Sequence, residues 1–170
     1  DQNATLSVTK KATIQANVFS NDNKSTLVAQ YLDMTIKEEL NNLEGALLQV
    51  SETFTGKAAK IHNLNQSKIA AKNIAFETST HMINKGESLC AATDQLNIKT
   101  NRLNNLNKSQ LSGAQIDITS TTFINETESL CHASDHMLLK SQKIGNRDKA
   151  QLLGKNITIQ TPEGLANDTG

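Results

Sequence analysis

The sequence predicts a mainly β protein with one long helix: a repetitive rod of short strands, closed by three intertwined copies and preceded by a coiled-coil helix. Three observations carry this. An internal repeat runs through the second half, apolar residues recur every seventh position, and the composition is too poor in aromatics for an ordinary globular core. Only 3% of the 170 residues are aromatic, against 36% hydrophobic overall. Compact cores lean on aromatic rings for buried area, so a thin core of Leu, Ile and Ala extended along an axis fits better.

Four segments follow: 1–23, a short β segment; 24–65, a helix; 66–161, the repetitive β rod; and 162–170, a tail beyond the only proline, Pro162. In the first, Leu6 to Phe19 alternates apolar and polar residues as strands do.

In the second, Ile36, Leu40, Leu43, Leu47, Val50, Phe54, Ile61 and Leu64 keep a four-three spacing broken only at Lys57. That is a heptad seam, with Ser25 placed to cap the helix start. Gly45 and Gly56 weaken it by about 1 kcal/mol each relative to Ala. A helix with so narrow a stripe needs partners, and a parallel homotrimer supplies them.

The third segment shows its repeat directly. Residues 83–100 and 124–141 align at an offset of 41 with half of the positions identical, including Glu-Ser-Leu-Cys in both. Asn105 falls on Asn146 and Gly113 on Gly154 at the same offset. Within each unit Met82, Leu89, Leu96 and Leu103, then Phe123, Leu130, Met137 and Ile144, stand seven apart. No second seam accompanies them, while pairs such as Ile116/Ile118 and Ile157/Ile159 suit short strands. Such strands cannot bury a face alone. A one-chain solenoid was expected to place Gly at its tight corners, and the chain has only eight; three chains wound as a prism are therefore expected. The expected trimer core is Leu40, Leu43, Leu47, Val50, Phe54, Ile61, Met82, Leu89, Leu96, Leu103, Ile116, Phe123, Leu130, Met137, Ile144 and Ile157.

Seventeen basic and seventeen acidic residues cancel, which removes the attraction behind non-specific nucleic-acid binding. No apolar run reaches membrane-spanning length, so no membrane anchor is expected, nor a signal peptide. The sequon Asn125-Glu-Thr reads as a by-product of composition.

Glu87, Ser88 and Asp94 recur as Glu128, Ser129 and Asp135. Paired carboxylates suit glycosidase chemistry, but duplication in step with the repeat favours turn or surface roles, and no enzyme activity is expected. Cys90 and Cys131 share one repeat position and read as buried free thiols. His132 and His136 could ring an axial metal in a trimer; the balance favours no metal and no cofactor. His62 and His81 read as isolated.

The β–helix–β layout, carried by the seven-residue beat of 82–103 and 123–144 and by the helix, resembles the central-spike proteins of contractile injection machines, the type VI secretion spike (VgrG) family. The resemblance implies a structural needle that trimerises, docks a tube or hub protein at one end and a PAAR-like tip or effector at the other, and leaves the bacterial cytoplasm with the apparatus. Two alternatives stand beside it. One is a trimeric adhesin or phage-fibre stalk. The other is a single-chain solenoid enzyme acting on polysaccharide, which requires an aromatic-lined cleft.

Overall fold

The computed structural model describes residues 3–168. Among them the chain forms nine strands and no helix: β1 (Thr5–Asn21), β2 (Thr26–Asn42), β3 (Leu47–Leu64), β4 (Lys68–Lys85), β5 (Leu89–Leu106), β6 (Gln110–Glu126), β7 (Leu130–Asn146), β8 (Gln151–Gln160) and β9 (Leu165–Asn167). Each of β1 to β7 pairs in parallel with the next in sequence, and β9 completes the last rung beside β7. The result is a parallel β-solenoid of eight rungs, about 4.8 Å apart, wound from one chain.

Two bends divide most rungs into three straight segments. In β5 these are Leu89–Ala92, Gln95–Lys99 and Arg102–Leu106, with a register shift against a neighbouring rung at each bend. A turn of three or four residues then carries the chain up to the next rung. Side chains alternate in and out within each segment, and the bends drop outward residues in pairs or threes so that the inward set stays inward.

The interior is consequently a set of vertical columns. One runs Leu6, Leu27, Leu48, Ile69, Cys90, Leu111, Cys131, Leu152; another Ala12, Leu32, Phe54, Ile74, Leu96, Ile116, Met137, Ile157; a third Phe19, Leu40, Ile61, Met82, Leu103, Phe123, Ile144, Leu165. A tighter corner takes Ala29, Ala71, Ala92 and Ala133, all buried. Such a core needs few aromatics. Phe54 and Phe76 meet edge to face, with ring centroids 5.0 Å apart.

The expected helix over 24–65 is corrected: those residues are β2 and β3. A rung plus its turn is 21 residues, and 21 is three sevens. Leu40, Phe54 and Ile61 obey heptad spacing because the third and middle segments of successive rungs recur at that interval; Leu40 and Ile61 are lateral neighbours in adjacent rungs. Ser25 and Gly45 belong to turns.

The three-chain prism is corrected as well. The core closes within one chain, where Leu40, Val50, Phe54, Ile61, Met82, Leu96, Leu103, Ile116, Phe123, Met137 and Ile144 are buried. Leu43, Leu47, Leu89 and Leu130 are half-buried at the rims, and Ile157 in the last rung is 40% exposed.

Scarce glycine does not prevent this closure. The turns use two consecutive left-handed residues, mostly not glycine: Asn65–Gln66 (φ 58° and 64°), Asn107–Lys108 (56° and 62°), Thr127–Glu128 (57° and 59°), Asp148–Lys149 (49° and 63°). Each costs a non-glycine residue about 1–2 kcal/mol. Stacking offsets that cost, because turn amides donate to carbonyls of the turn above: Asn65 N to Lys85 O at 3.0 Å and Gln66 N to Gly86 O at 2.7 Å.

Candidate functional site

The most ordered polar feature is internal. At the end of every rung an asparagine points inward: Asn21, Asn42, Asn63, Asn84, Asn105, Asn125, Asn146 and Asn167. Each of the first seven donates from Nδ2 to Oδ1 of the next, at 2.7–2.9 Å. The same Nδ2 groups donate to backbone carbonyls, such as Asn84 to Gln110 O at 2.9 Å. Carbonyls only accept, so those contacts fix every amide the same way round. The ladder therefore has a direction, running from the first rung to the last.

Four residues after each asparagine stands a serine or alanine: Ser25, Ala46, Ser67, Ser88, Ser109, Ser129, Ala150. Ser67 Oγ and Ser88 Oγ donate to Leu64 O and Lys85 O, at 2.7 and 2.8 Å, and close their turns. A second hydroxyl column holds another corner, where Thr78 meets Thr100 at 2.6 Å and Ser120 meets Ser141 at 2.9 Å.

The repeated acidic and serine residues are not assembled into a reaction centre. Glu87 and Glu128 sit in turns two rungs apart, and Asp94 and Asp135 at bends two rungs apart, so each pair is separated by about 10 Å along the axis. Ser88 is buried as a turn staple. Cys90 and Cys131 are buried free thiols in one column with Leu111 between them. Burial pushes both thiols up to about 12, which keeps them protonated at neutral pH. His132 and His136 lie on the outer surface, His132 exposed and His136 half-buried, rather than around an axis. Among the described residues no three His, Cys, Asp or Glu side chains come together as a metal-binding group.

The structure does bring together two residues read as isolated. His62 and His81 stack across β3 and β4 with Nε2 atoms 3.0 Å apart. Asn41 Oδ1 lies 2.9 Å from His62 Nδ1 and can only accept. The proton therefore sits on His62 Nδ1, and His62 Nε2 accepts from His81 Nε2–H. Burial, then the neighbouring His81 charge, lowers the pKa of His62; burial is also the first cause of lowering at His81, followed by Lys60. The 19-residue separation of the two histidines hides this contact from any scan for short motifs.

The outer faces are charge-balanced columns. Glu77 lies between Lys57 and Lys99, at 3.3 and 3.5 Å, and Glu39 meets Lys60 at 2.9 Å. These pairs are exposed and add little stability individually, but alternating signs avoid the repulsion that like charges in register would cause. A concavity of about 620 Å³ runs along the stacked turns past Lys24, Glu44, Gln66, Glu87 and Lys108. Polar side chains and glycines line it, and some of these side chains bond to one another, as Asn65 Nδ2 does to Glu44 Oε1 at 2.6 Å. Tyr31, the one tyrosine, stands exposed on a different part of the surface.

Fold and surface together define a single-chain parallel β-solenoid with an internal asparagine ladder and charge-paired outer faces. Comparison with protein-family models, with curated proteins and with solved structures finds no match for the chain.

Proposed function

We propose that this chain is a structural rod segment, a spacer whose task is to hold a fixed length and stiffness. The observation that supports the reading is the unbroken register of the asparagine ladder through all eight rungs. Every rung rests only on its neighbours, so length grows by one increment of about 4.8 Å per rung. Among the described residues no insertion interrupts the stack of rungs. The spike reading rested on three intertwined chains and a helix. With those corrected, its mechanical part remains as the proposal: a stiff object presented or driven through its surroundings, with its ends available to other parts of an assembly. A stalk carrying a surface-binding head is the same mechanics in a different setting.

The test is removal of one rung. Deleting 68–88 joins Ser67 to Leu89, residues that occupy successive positions of the turn motif. The shortened chain is expected to fold, to keep its β circular dichroism, and to lose about 5 Å of length in small-angle scattering. A deletion variant that is unfolded or expanded would show that the rungs are not interchangeable, and the rod reading would fall.

A further inference from the structure

We propose that His62 and His81 form a surface site for a divalent transition metal of tetragonal preference, copper(II) foremost, held between their two Nε2 atoms. The site stands apart from the rod reading and is tested independently of it.

Three observations carry it. The first is convergence. Ile83 fills the position directly beside His62 in the next rung, and His62 reaches instead to His81. Two nitrogen ligands from different rungs thus meet 3.0 Å apart, with their rings 29° from parallel. With metal–nitrogen distances of about 2.0–2.1 Å, a separation of 3.0 Å subtends about 95° at the metal. That suits neighbouring ligands of a square-planar or tetragonal copper(II) or nickel(II) ion. Tetrahedral zinc asks for about 109° and a separation of about 3.3–3.4 Å.

The second observation is the support behind His62. A metal-bound imidazole is held by an acceptor on its other nitrogen, which fixes the tautomer and aims the lone pair. Asn41 Oδ1 accepts from His62 Nδ1–H at 2.9 Å. The Asn41 amide is oriented in turn by a hydrogen bond to the Glu39 carboxylate, which also accepts from Lys60 Nζ at 2.9 Å. The lone pair of His62 Nε2 is thereby turned toward His81 before any metal arrives.

The third is charge state and access. Burial lowers the pKa of both histidines, so both rings are neutral ligands at neutral pH. Both are half-buried, which leaves water to complete the coordination sphere. Binding shifts the proton of His81 from Nε2 to Nδ1, and the metal takes that proton's place between the rings, with no net release. Lys60 and Arg102 flank His81 in its column. Lys60 is paired with Glu39, and Arg102 Nε turns to Asn104 Oδ1 at 3.3 Å. One uncompensated positive charge therefore opposes the cation, and among the described residues no third His, Cys, Asp or Glu joins the pair. The site is accordingly a weak, exchangeable one.

The test adds copper(II) sulfate alone to the metal-free full chain in a non-coordinating buffer at neutral pH. Copper(II) is paramagnetic and broadens the imidazole proton signals of its ligands first. Of the four histidines, His62 and His81 are expected to broaden at substoichiometric copper while His132 and His136 stay sharp. Calorimetry is expected to give one copper per chain, bound about tenfold or more tightly than zinc(II). His62→Gln and His81→Gln should each weaken binding by about tenfold or more, and Asn41→Leu by about tenfold; Arg102→Gln should strengthen it. Broadening that begins at His132 and His136, or runs equally through all four rings, overturns the proposal. This readout uses the wild-type chain and holds even where a variant fails to fold. Copper binding unchanged in a folded His62→Gln chain overturns it as well, and so does zinc bound as tightly as copper, since a right-angled site would not then exist.

Discussion

The asparagine ladder concentrates the residue-scale energetics. Asn84 is fully buried and accepts from Asn63 while donating to Asn105 and to two carbonyls. Asn84→Leu takes from the Asn63 amide one of its two acceptors, leaving Leu89 O, and leaves the Asn105 oxygen without its donor. An orphaned buried group costs about 1–3 kcal/mol, so a loss of that size is expected in urea unfolding. A midpoint within error of wild type would mean that the ladder merely accompanies the packing. The histidine pair makes a different prediction. Both pKa values are lowered from 6.5 in the folded chain, so the unfolded chain takes up protons first as pH falls. The stability is present in full above the unfolded pKa and declines as pH drops through the folded values. His62→Gln is expected to flatten that decline between about pH 7 and 5. Equal slopes for wild type and variant would remove the pair from the account.

At the scale of the element, the rung was half legible. Part of the inward set was legible, because alternation and the seven-residue beat mark it, though the same beat also marks Leu89 and Leu130, which lie at the rims. Leu96, Met137 and Ile144 are as buried as a core position can be. The length of the repeat was not found. The offset of 41 is two rungs, one of 21 and one of 20, and the rung between is hidden because only the rungs of β5 and β7 open on Glu-Ser-Leu-Cys. The signal that would have resolved it is asparagine followed four residues later by serine or alanine, present seven times from Asn21 to Asn146. The heptad beat misled because a third of a rung and two helical turns both take seven residues; the threonines at 53, 55 and 35 already favoured strands. Among the described residues, asparagine shares the left-handed turn positions with Asp, Lys, Gln, Glu and Thr. Thr127 is the least suited of these, being β-branched at φ 57°. Thr127→Asn should therefore stabilise the chain, by up to about 1 kcal/mol, with no change in circular dichroism. A lower melting temperature would indicate that the threonine hydroxyl or methyl supplies something the turn geometry does not reveal.

For the whole molecule, the decisive property is that contacts are local along the axis. Each of β2 to β7 pairs with its predecessor and successor, β9 lies beside β7, and among the described residues every strand pairing joins adjacent rungs. Stability is then close to a sum of rung and interface terms, and unfolding can begin wherever a rung has one neighbour in place of two. That condition holds at β1 and at β8 with β9. Their side chains lose burial for the same reason: the column members Leu6, Ile157 and Leu165 are exposed while equivalent residues in β3 to β6 are closed off. Opening free energies should accordingly rise from both ends toward the middle. Native-state hydrogen exchange, followed by peptide, is expected to show the least protection in 5–21 and 151–167 and the greatest in 68–106. Residue chemistry does not predict this order, because the ladder asparagine and the left-handed turns recur in the end rungs and in the middle alike; only position along the stack differs. Uniform protection across all eight rungs would mean that the solenoid opens as one cooperative unit, with interface terms large enough to bind the end rungs as tightly as the centre.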